Sequence, residues 1–183
     1  LARVLGRVQL DFSALDRVAV TTGPGSFTGL RVGIAAARGI ALASGKPAIG
    51  LTTFAAFAAP FIAADDTLPV VVAIDARHDH VYLQVFGPGG RTLVAPRVAP
   101  LREALRVSST GAPRITGTAA AKLATLWPAG ERPPTKVEQR SAPDINWVAR
   151  LGAAAADTGT PPKPLYLRPP DAHPQDAVQL ARR

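Results

Sequence analysis

A glycine-rich segment that follows a short β-branched run constrains this chain more than any other feature. Residues 18–22 read Val-Ala-Val-Thr-Thr, which is typical of a strand, and residues 23–33 read Gly-Pro-Gly-Ser-Phe-Thr-Gly-Leu-Arg-Val-Gly. Four glycines within eleven residues permit a tight turn and a close approach of neighbouring backbone. From residue 27 to residue 43 the side chains are mostly small or favour a helix, and Ser26 or Thr28 could cap its start. The segment therefore predicts a strand, a tight turn and a long helix.

The glycine-rich turn does not match two well-known functional turns. A Walker A loop requires a lysine before its last Ser or Thr, and this segment contains no lysine. A nucleophile elbow requires glycines two positions before and two after the serine, whereas Ser26 has Pro24 and Thr28 there. A glycine-rich turn at a helix N-terminus still offers free N–H groups that favour an anion, so a phosphate site is conceivable.

The helix predicted after this turn is rich in small residues. Gly29 and Gly33 are four residues apart and so lie on one face of the helix. The neighbouring positions Ala36, Ala37 and 39–41 add little side-chain bulk to the helix surface. A second helix can approach such a surface closely. The pattern indicates contact between helices.

Positive charge exceeds negative charge, but it is scattered. The chain has 21 Lys and Arg against 13 Asp and Glu, a net charge of +8, with no run of five basic residues. An excess of this size can favour nucleic acid or an acidic partner, but its scatter along the chain favours a solvated arginine-rich surface instead. Arg31 and Arg38 lie seven residues apart on one helical stripe, where they could meet carboxylates of a partner or only solvent.

The pattern continues as alternating strands and helices. Residues 47–51 favour a short buried strand, and Thr52 or Thr53 could cap a helix that runs to Ala64. The break at residues 65–69 predicts the start of a second lobe. The continuous apolar run of residues 70–74, the alternating residues 80–86 and residues 91–95 after a Gly-Pro-Gly-Gly turn predict antiparallel strands.

The last third of the chain favours helices and loops. Three helices are predicted, over residues 101–107, 119–127 and 143–156. Ser141 is a candidate cap for the last of them, and residues 128–134 favour a surface loop. From Thr158 onwards Pro and polar residues predict an extended tail in which only residues 165–167 are anchored.

Cysteine is absent, so a disulfide framework and a thiolate metal site are excluded, and a cytoplasmic location is expected. Charged residues interrupt the richest apolar stretch, so no membrane span is expected.

Three strings of residues together resemble one known family. Residues 23–33, followed by Pro-Ala-Ile-Gly-Leu-Thr-Thr at 47–53, are similar to the signature of the TsaB family, formerly YeaZ. Residues 74–77, read with Val81 and Tyr82, and the string Pro-Leu-Tyr-Leu-Arg at 164–168 resemble its later motifs. The resemblance implies an α/β fold with two ribonuclease-H-like lobes of the actin-like ATPase superfamily, historically called glycoprotease or M22-like. It further implies lobes at residues 1–66 and 67–183, with the N-terminal strands of the first lobe lacking.

The same resemblance implies a non-catalytic role in tRNA modification. TsaB proteins act as scaffolds that pair with and activate TsaD, which transfers threonylcarbamoyl to an anticodon-loop adenosine of tRNA, and TsaE joins the pair. A homodimer is implied when the chain is alone, with tRNA contacted through the complex. No cofactor, metal or catalytic residue is implied for the chain alone, although ATP or ADP could bind at the junction with TsaD and TsaE. The implied contact residues are Gly29, Leu30, Arg31, Gly33 and Ala37, next to a motif turn of Gly23, Pro24, Gly25, Ser26, Phe27 and Thr28.

Three other functions stay open from the residues. A metallopeptidase would rely on His78 and His80, the only close pair of histidines, but a helical His-Glu-x-x-His is absent. A nucleotide-dependent enzyme of the same superfamily would use Asp75 as a carboxylate, although a strand-end Asp commonly caps the next turn. A direct RNA-binding module is permitted by the charge but would need a localised basic stripe.

Overall fold

The computed structural model describes residues 2–168. Seven strands and six α-helices lie within this range. The strands are β1 (Val18–Gly23), β2 (Ala48–Thr52), β3 (Val70–Asp75), β4 (His80–Phe86), β5 (Thr92–Pro100), β6 (Arg114–Gly117) and β7 (Lys136–Gln139). The helices are α1 (Ala2–Arg7), α2 (Phe27–Ser44), α3 (Thr53–Ala64), α4 (Leu101–Ala104), α5 (Ala120–Thr125) and α6 (Ile145–Ala154), with short 3-10 turns at Phe12–Ala14, Pro88–Gly90 and Leu105–Thr110.

The first sheet is small and is covered on both faces. Strands β1 and β2 pair in parallel, and Val20 lies opposite Gly50. Helix α2 covers the face that Val20 occupies, since Gly33 lies over this valine. Helix α6 packs on the other face against Ala19, where only a glycine, Gly152, leaves enough room.

The second sheet has five strands in the order β5-β4-β3-β6-β7. Strands β3, β4 and β5 are antiparallel neighbours, whereas β6 and β7 run parallel to β3. Strand β3 is central, and residues 70–73 are fully buried. One face of the sheet packs on the aromatic side chains of α3, and the other packs on α4 and α5.

Most elements predicted up to residue 86 are confirmed, and several later ones are not. Strands β6 and β7 were not predicted, because each has four residues and neither shows a clear apolar period. The helix predicted over residues 101–107 is only one α-turn followed by a 3-10 segment. The proposed cap Ser141 is wrong, since Oδ1 of Asp144 accepts the hydrogen bond from the Asn146 N–H at 2.8 Å.

The chain returns to the first sheet after it completes the second. Arg17, which precedes β1, donates from Nη1 to the carbonyls of Gly152 (3.2 Å) and Ala155 (2.7 Å), at the end of α6. Helix α6, which follows the second sheet in the chain, therefore lies against the first sheet, and the division into lobes at residues 1–66 and 67–183 stays a prediction. The tail expected beyond residue 168 lies outside the described residues.

No helix within residues 2–168 combines the length and apolar character needed to cross a bilayer.

A buried arginine connects α3 with the second sheet. Arg114 of β6 is 6% exposed and donates to the carbonyls of Phe61 (2.7 Å) and Leu68 (2.6 Å). Phe61 belongs to the last turn of α3, where a cation interacts favourably with the helix dipole. Hydrogen bonds from a charged donor contribute more than neutral ones, so Arg114 stabilises the junction between α3 and the sheet.

Replacing this guanidinium should destabilise the fold. We expect Arg114→Met to lower the free energy of unfolding by about 2–4 kcal/mol, because two carbonyl groups lose a charged donor. Urea unfolding followed by circular dichroism measures the change. The exposed Arg102→Met is the control, with an expected change within about 0.5 kcal/mol. Equal midpoints for the two variants would contradict the role given to Arg114.

Candidate interaction surface

The motif turn brings the C-terminal segment against the start of α2. Gly23 has φ +115°, a conformation that favours glycine, and its bond to Pro24 is cis. A Cβ at Gly23 would lie 3.1 Å from the Leu165 carbonyl oxygen and 3.0 Å from Leu30 Cδ1. The Leu165 N–H donates to the Thr22 carbonyl at 2.8 Å. The turn is therefore built around a close contact that no other residue type permits without strain.

The described C-terminal segment, residues 160–168, connects the two sheets. Pro162 is buried against Gly50 of β2, and Pro164 lies beside α2. Further on, Arg168 donates from Nη1 to the Ala76 carbonyl at 3.3 Å, directly after β3. We call residues 160–168 the strap.

An aromatic and cationic cluster joins the strap to α2. The Arg31 guanidinium carbon lies 3.9 Å from the centroid of the Phe27 ring, and Nε of Arg31 donates to the Tyr166 hydroxyl at 3.1 Å. The two rings have centroids 5.7 Å apart. All three side chains are exposed, so the cluster fixes Arg31 at the surface.

Helix α2 begins with a capped turn and exposes one long face. The Ser26 hydroxyl accepts from the Gly29 N–H at 3.3 Å, which confirms one of the two predicted caps. Val32 is 64% exposed and Leu42 is 86% exposed. The other exposed residues of the helix after its first turn are Arg31, Ala35, Ala36, Arg38, Gly39 and Ala43.

The expected contact residues are distributed between this face and the interior. Gly29 and Arg31 are exposed, and Leu30 and Gly33 are half-buried. Ala37 is 5% exposed and belongs to the core, so its side chain offers no surface to a partner. The expected contact residues omitted Val32 and Leu42, although both lie within about 60° of Gly39 around the helix axis.

The glycines of α2 are not required by the rest of the chain. A Cβ at Gly29 would lie 3.5 Å from Ser26, one at Gly33 would lie 3.8 Å from Val20, and one at Gly39 would meet nothing within 4 Å. These distances are ordinary contacts or open space. Each glycine nevertheless costs a helix about 1 kcal/mol relative to alanine.

A groove runs beside α2 between its two arginines. Its volume is about 390 Å³, and it is lined by Arg31, Ile34, Ala35, Arg38 and Pro164. Apart from the two arginines, the side chains that line it are apolar. The groove is therefore formed jointly by α2 and the strap.

A cleft of about 870 Å³ lies between the motif turn and the end of β3. Its lining includes the first turn of α2, Arg77 and Arg168, which are donors of the kind that hold a phosphate. Asp75 also lines it, but its carboxylate accepts from the Arg77 N–H at 3.3 Å and so caps its own turn. The Asp75 N–H donates to the Thr118 hydroxyl at 2.8 Å.

The turn after β3 is strained. Arg77, His78 and Asp79 all have positive φ, between +47° and +62°. His80 Nδ1 lies 2.7 Å from the His78 carbonyl oxygen. Within residues 2–168 no three His, Cys, Asp or Glu side chains are grouped closely enough to hold a metal ion.

A surface ion pair connects this turn with α5. Lys122 Nζ lies 2.8 Å from Asp79 Oδ1. The hydrogen bond from Lys122 lowers the pKa of Asp79, and the same bond raises the pKa of Lys122. A lowered carboxyl pKa means that the contribution to stability is present above the usual Asp value and is lost as pH falls through the folded-state value.

Comparison with known proteins agrees with this fold. A crystal structure from Pseudomonas aeruginosa, described as an uncharacterized protein with similarity to peptidase YEAZ, superposes with a TM-score of 0.73. It is 25% identical and matches 91% of this chain and 80% of its own. An uncharacterized protein of Mycobacterium tuberculosis is 35% identical over 173 residues, which cover 93% of this chain and 72% of that protein.

Two further matches define the family. The protein-family model described as "TsaD: tRNA N6-adenosine threonylcarbamoyltransferase" matches residues 1–142. The Haemophilus influenzae protein named "tRNA threonylcarbamoyladenosine biosynthesis protein TsaB" is 38% identical over 79 residues, 43% of this chain and 34% of its own length. The molecule is thus an α/β protein with the fold of the YeaZ structures. Within that class, the chain belongs to the TsaB (YeaZ) family, as its motifs predicted.

The ion pair of the strained turn can be tested by titration. We expect Lys122→Met to raise the pKa of Asp79 towards its usual value, because the hydrogen bond that stabilises the carboxylate is lost. Carbon-detected NMR titration of the Asp79 carboxyl group measures it. Lys136→Met, which removes a different ion pair with Glu138, should leave the Asp79 titration unchanged. An Asp79 pKa that does not respond to Lys122→Met would contradict the assignment.

Proposed function

We propose that the chain is a non-catalytic scaffold subunit in the synthesis of threonylcarbamoyladenosine in tRNA. It pairs with a TsaD-type transferase and activates it, and a TsaE-type ATPase joins the pair. In this proposal the two sheets with their helices are the two ribonuclease-H-like lobes of the family fold. The observation that carries the proposal is the exposed face of α2, whose glycines the chain's own packing does not use.

The loss of helix stability that these glycines cause supports a role for them in contact with a partner protein. Gly29 and Gly39 are exposed, and an alanine at either position would fit the fold. A helix that keeps glycine where alanine fits gives up about 1 kcal/mol per position. The free space that glycine leaves allows the backbone of a second helix to approach closely.

Exposed apolar side chains on the same face of α2 also support contact with a partner protein. Val32 and Leu42 are the most exposed large hydrophobic residues of α2. They lie on the face that also carries Gly39, so a partner that covers the glycine would bury both of them. Burial of apolar surface contributes about 25 cal/mol per Å².

We further propose that a nucleotide binds in the cleft, at the junction with the TsaD-type and TsaE-type partners. ATP or ADP would be held by the first turn of α2 together with Arg77 and Arg168, which line the cleft. These groups would bind and orient the phosphates. The proposal assigns them no chemical step.

Two substitutions at Gly39 distinguish an effect on the stability of the chain from an effect on binding to the partner. We expect Gly39→Ala to stabilise the isolated chain by about 0.5–1 kcal/mol, because the helix loses a flexible residue. We expect Gly39→Trp to weaken association with the cognate TsaD-type transferase at least about tenfold, because its bulk blocks helix approach. Thermal unfolding and calorimetric binding measure the two effects.

The functional test is a reconstituted modification assay. The full-length protein is combined with its TsaD-type and TsaE-type partners, ATP, the threonylcarbamoyl donor and tRNA, and modified adenosine is quantified. Modification should depend on the protein and fall with Gly39→Trp. Gly130→Trp is the matched control, because Gly130 also faces open space but lies in a loop far along the chain from α2. Modification that proceeds equally without the protein would overturn the proposal.

A further inference from the structure

Positive charge is concentrated on the second sheet, next to the edge that β5 forms. Residues 80–130 contain six Lys and Arg but only one acidic residue, Glu103. Three of the six are exposed and close in sequence: Arg97 of β5, Arg102 of α4, and Arg106 of the 3-10 segment that follows α4. We call these three side chains the arginine edge.

Arg97 lies on the face of the second sheet that α4 covers. It is opposite Leu83 in the register of β4 and β5, and residues directly opposite each other project to the same face. Leu83 belongs to the core cluster that also contains Leu101 and Ala104 of α4. Because β5 is an edge strand and Arg97 is exposed, its side chain lies at the uncovered margin of this face. Three residues, or roughly 10 Å, separate it from Pro100 at the end of the strand.

The chain then turns back over the same face. Helix α4 begins at the residue after β5, and the 3-10 segment leads towards β6, which starts beside the opposite end of β3. Arg102 and Arg106 are exposed on the outer side, about one helical turn apart. Arg106 follows Pro100 by six residues, or roughly 10 Å along the returning segment, which brings it level with Arg97. The topology therefore places all three arginines at one corner of the sheet.

The fold itself does not use these three guanidinium groups. In the described part of the chain they form no ion pair and donate no hydrogen bond, and Glu103 pairs with none of them. By contrast, Arg17 and Arg114 donate to backbone carbonyls, and Arg150 lies over the Trp147 ring. The charges of the arginine edge are therefore available to a partner outside the chain.

The backbone of a nucleic acid matches such an arrangement. Guanidinium groups bind phosphate oxygens in bidentate geometry, and such contacts position a nucleic acid without reading its sequence. The three groups are distributed over a margin of roughly 10 Å, which suits a linear polyanion better than one compact anion. An acidic protein surface has the same sign of charge, but the role in tRNA modification proposed above favours RNA.

We propose that the arginine edge contacts the phosphate backbone of the tRNA that the assembled complex modifies. The inference rests on the proposed function, which brings tRNA to the complex, and assigns part of the RNA contact to side chains of this chain. The contact contributes affinity through the release of counterions from the RNA. It lies on the second sheet, whereas α2 packs on the first, so RNA binding and protein pairing use different surfaces.

Neutralising the arginine edge should weaken tRNA binding and reduce its dependence on salt. The triple variant Arg97→Gln, Arg102→Gln and Arg106→Gln is tested in the full-length protein, assembled with its TsaD-type and TsaE-type partners. We expect about tenfold weaker binding of tRNA at physiological salt. The slope of log affinity against log salt concentration should become shallower by about 2–3, because each lost phosphate contact removes about one unit. Fluorescence anisotropy of labelled tRNA over a range of salt concentrations measures both effects.

A matched control removes the same amount of charge elsewhere. Arg3 and Arg7 of α1 and Arg132, in the loop before the opposite edge strand β7, are also exposed. Their triple replacement by Gln should leave tRNA affinity within about twofold of the parent value, because it spares the arginine edge. Lysines at the three positions of the arginine edge keep the charge and should restore affinity to within about threefold. All these side chains are exposed, so each variant should unfold at the midpoint of the parent protein.

The outcomes separate the inference from the proposed function. Unchanged tRNA affinity and salt slope in the glutamine variant would overturn the inference and leave the scaffold proposal standing. Equal weakening by the control variant would assign the effect to net charge and would contradict the inference as well. Weaker transferase binding with unchanged tRNA affinity would make the arginine edge a protein contact, which also overturns it. Failure of the parent protein to bind the transferase would overturn the scaffold proposal, and the same variants of the full-length chain alone would then test the contact with tRNA.

Discussion

The close contact at Gly23 is the constraint on which the proposed surface depends. Strand β1 ends there, α2 begins four residues later, and the strap passes within van der Waals distance through Leu165. A side chain at Gly23 would require a strained backbone and would displace the strap. Displacement would move Tyr166 away from Arg31, so the orientation of a surface cation depends on a glycine inside the turn.

The two sheets are connected by several independent contacts. Arg114 joins the end of α3 to the second sheet, and the strap joins Thr22 to Ala76 through Leu165 and Arg168. These contacts are hydrogen bonds to backbone carbonyls, which are directional, whereas apolar packing is not. These hydrogen bonds fix the position of the cleft relative to the exposed face of α2.

How much could be predicted from sequence depends on how local the signal is. The order from β1 to β4 followed from apolar runs and turn residues, because each element has at least five residues and a clear boundary. Strand β6 was missed because its four residues include a buried arginine, whose burial is explained by the distant carbonyls of Phe61 and Leu68. The site followed the same rule: Arg31 was recognised on its helix, but its partner Tyr166 lies 135 residues away and no local pattern connects them. Ala37 was misplaced because small residues surround α2, and only the packed structure distinguishes the inward side from the outward side.

Hydrogen exchange of the full-length protein with and without its TsaD-type transferase is the most direct measurement of the central claim. Backbone amides that a partner covers exchange more slowly. Slower exchange over residues 28–43 and along the strap, with no change in β5 on the far edge of the second sheet, is the result that the proposed surface requires. Slower exchange confined to β5 and α4, with α2 unchanged, would contradict it and would place the partner elsewhere on the molecule.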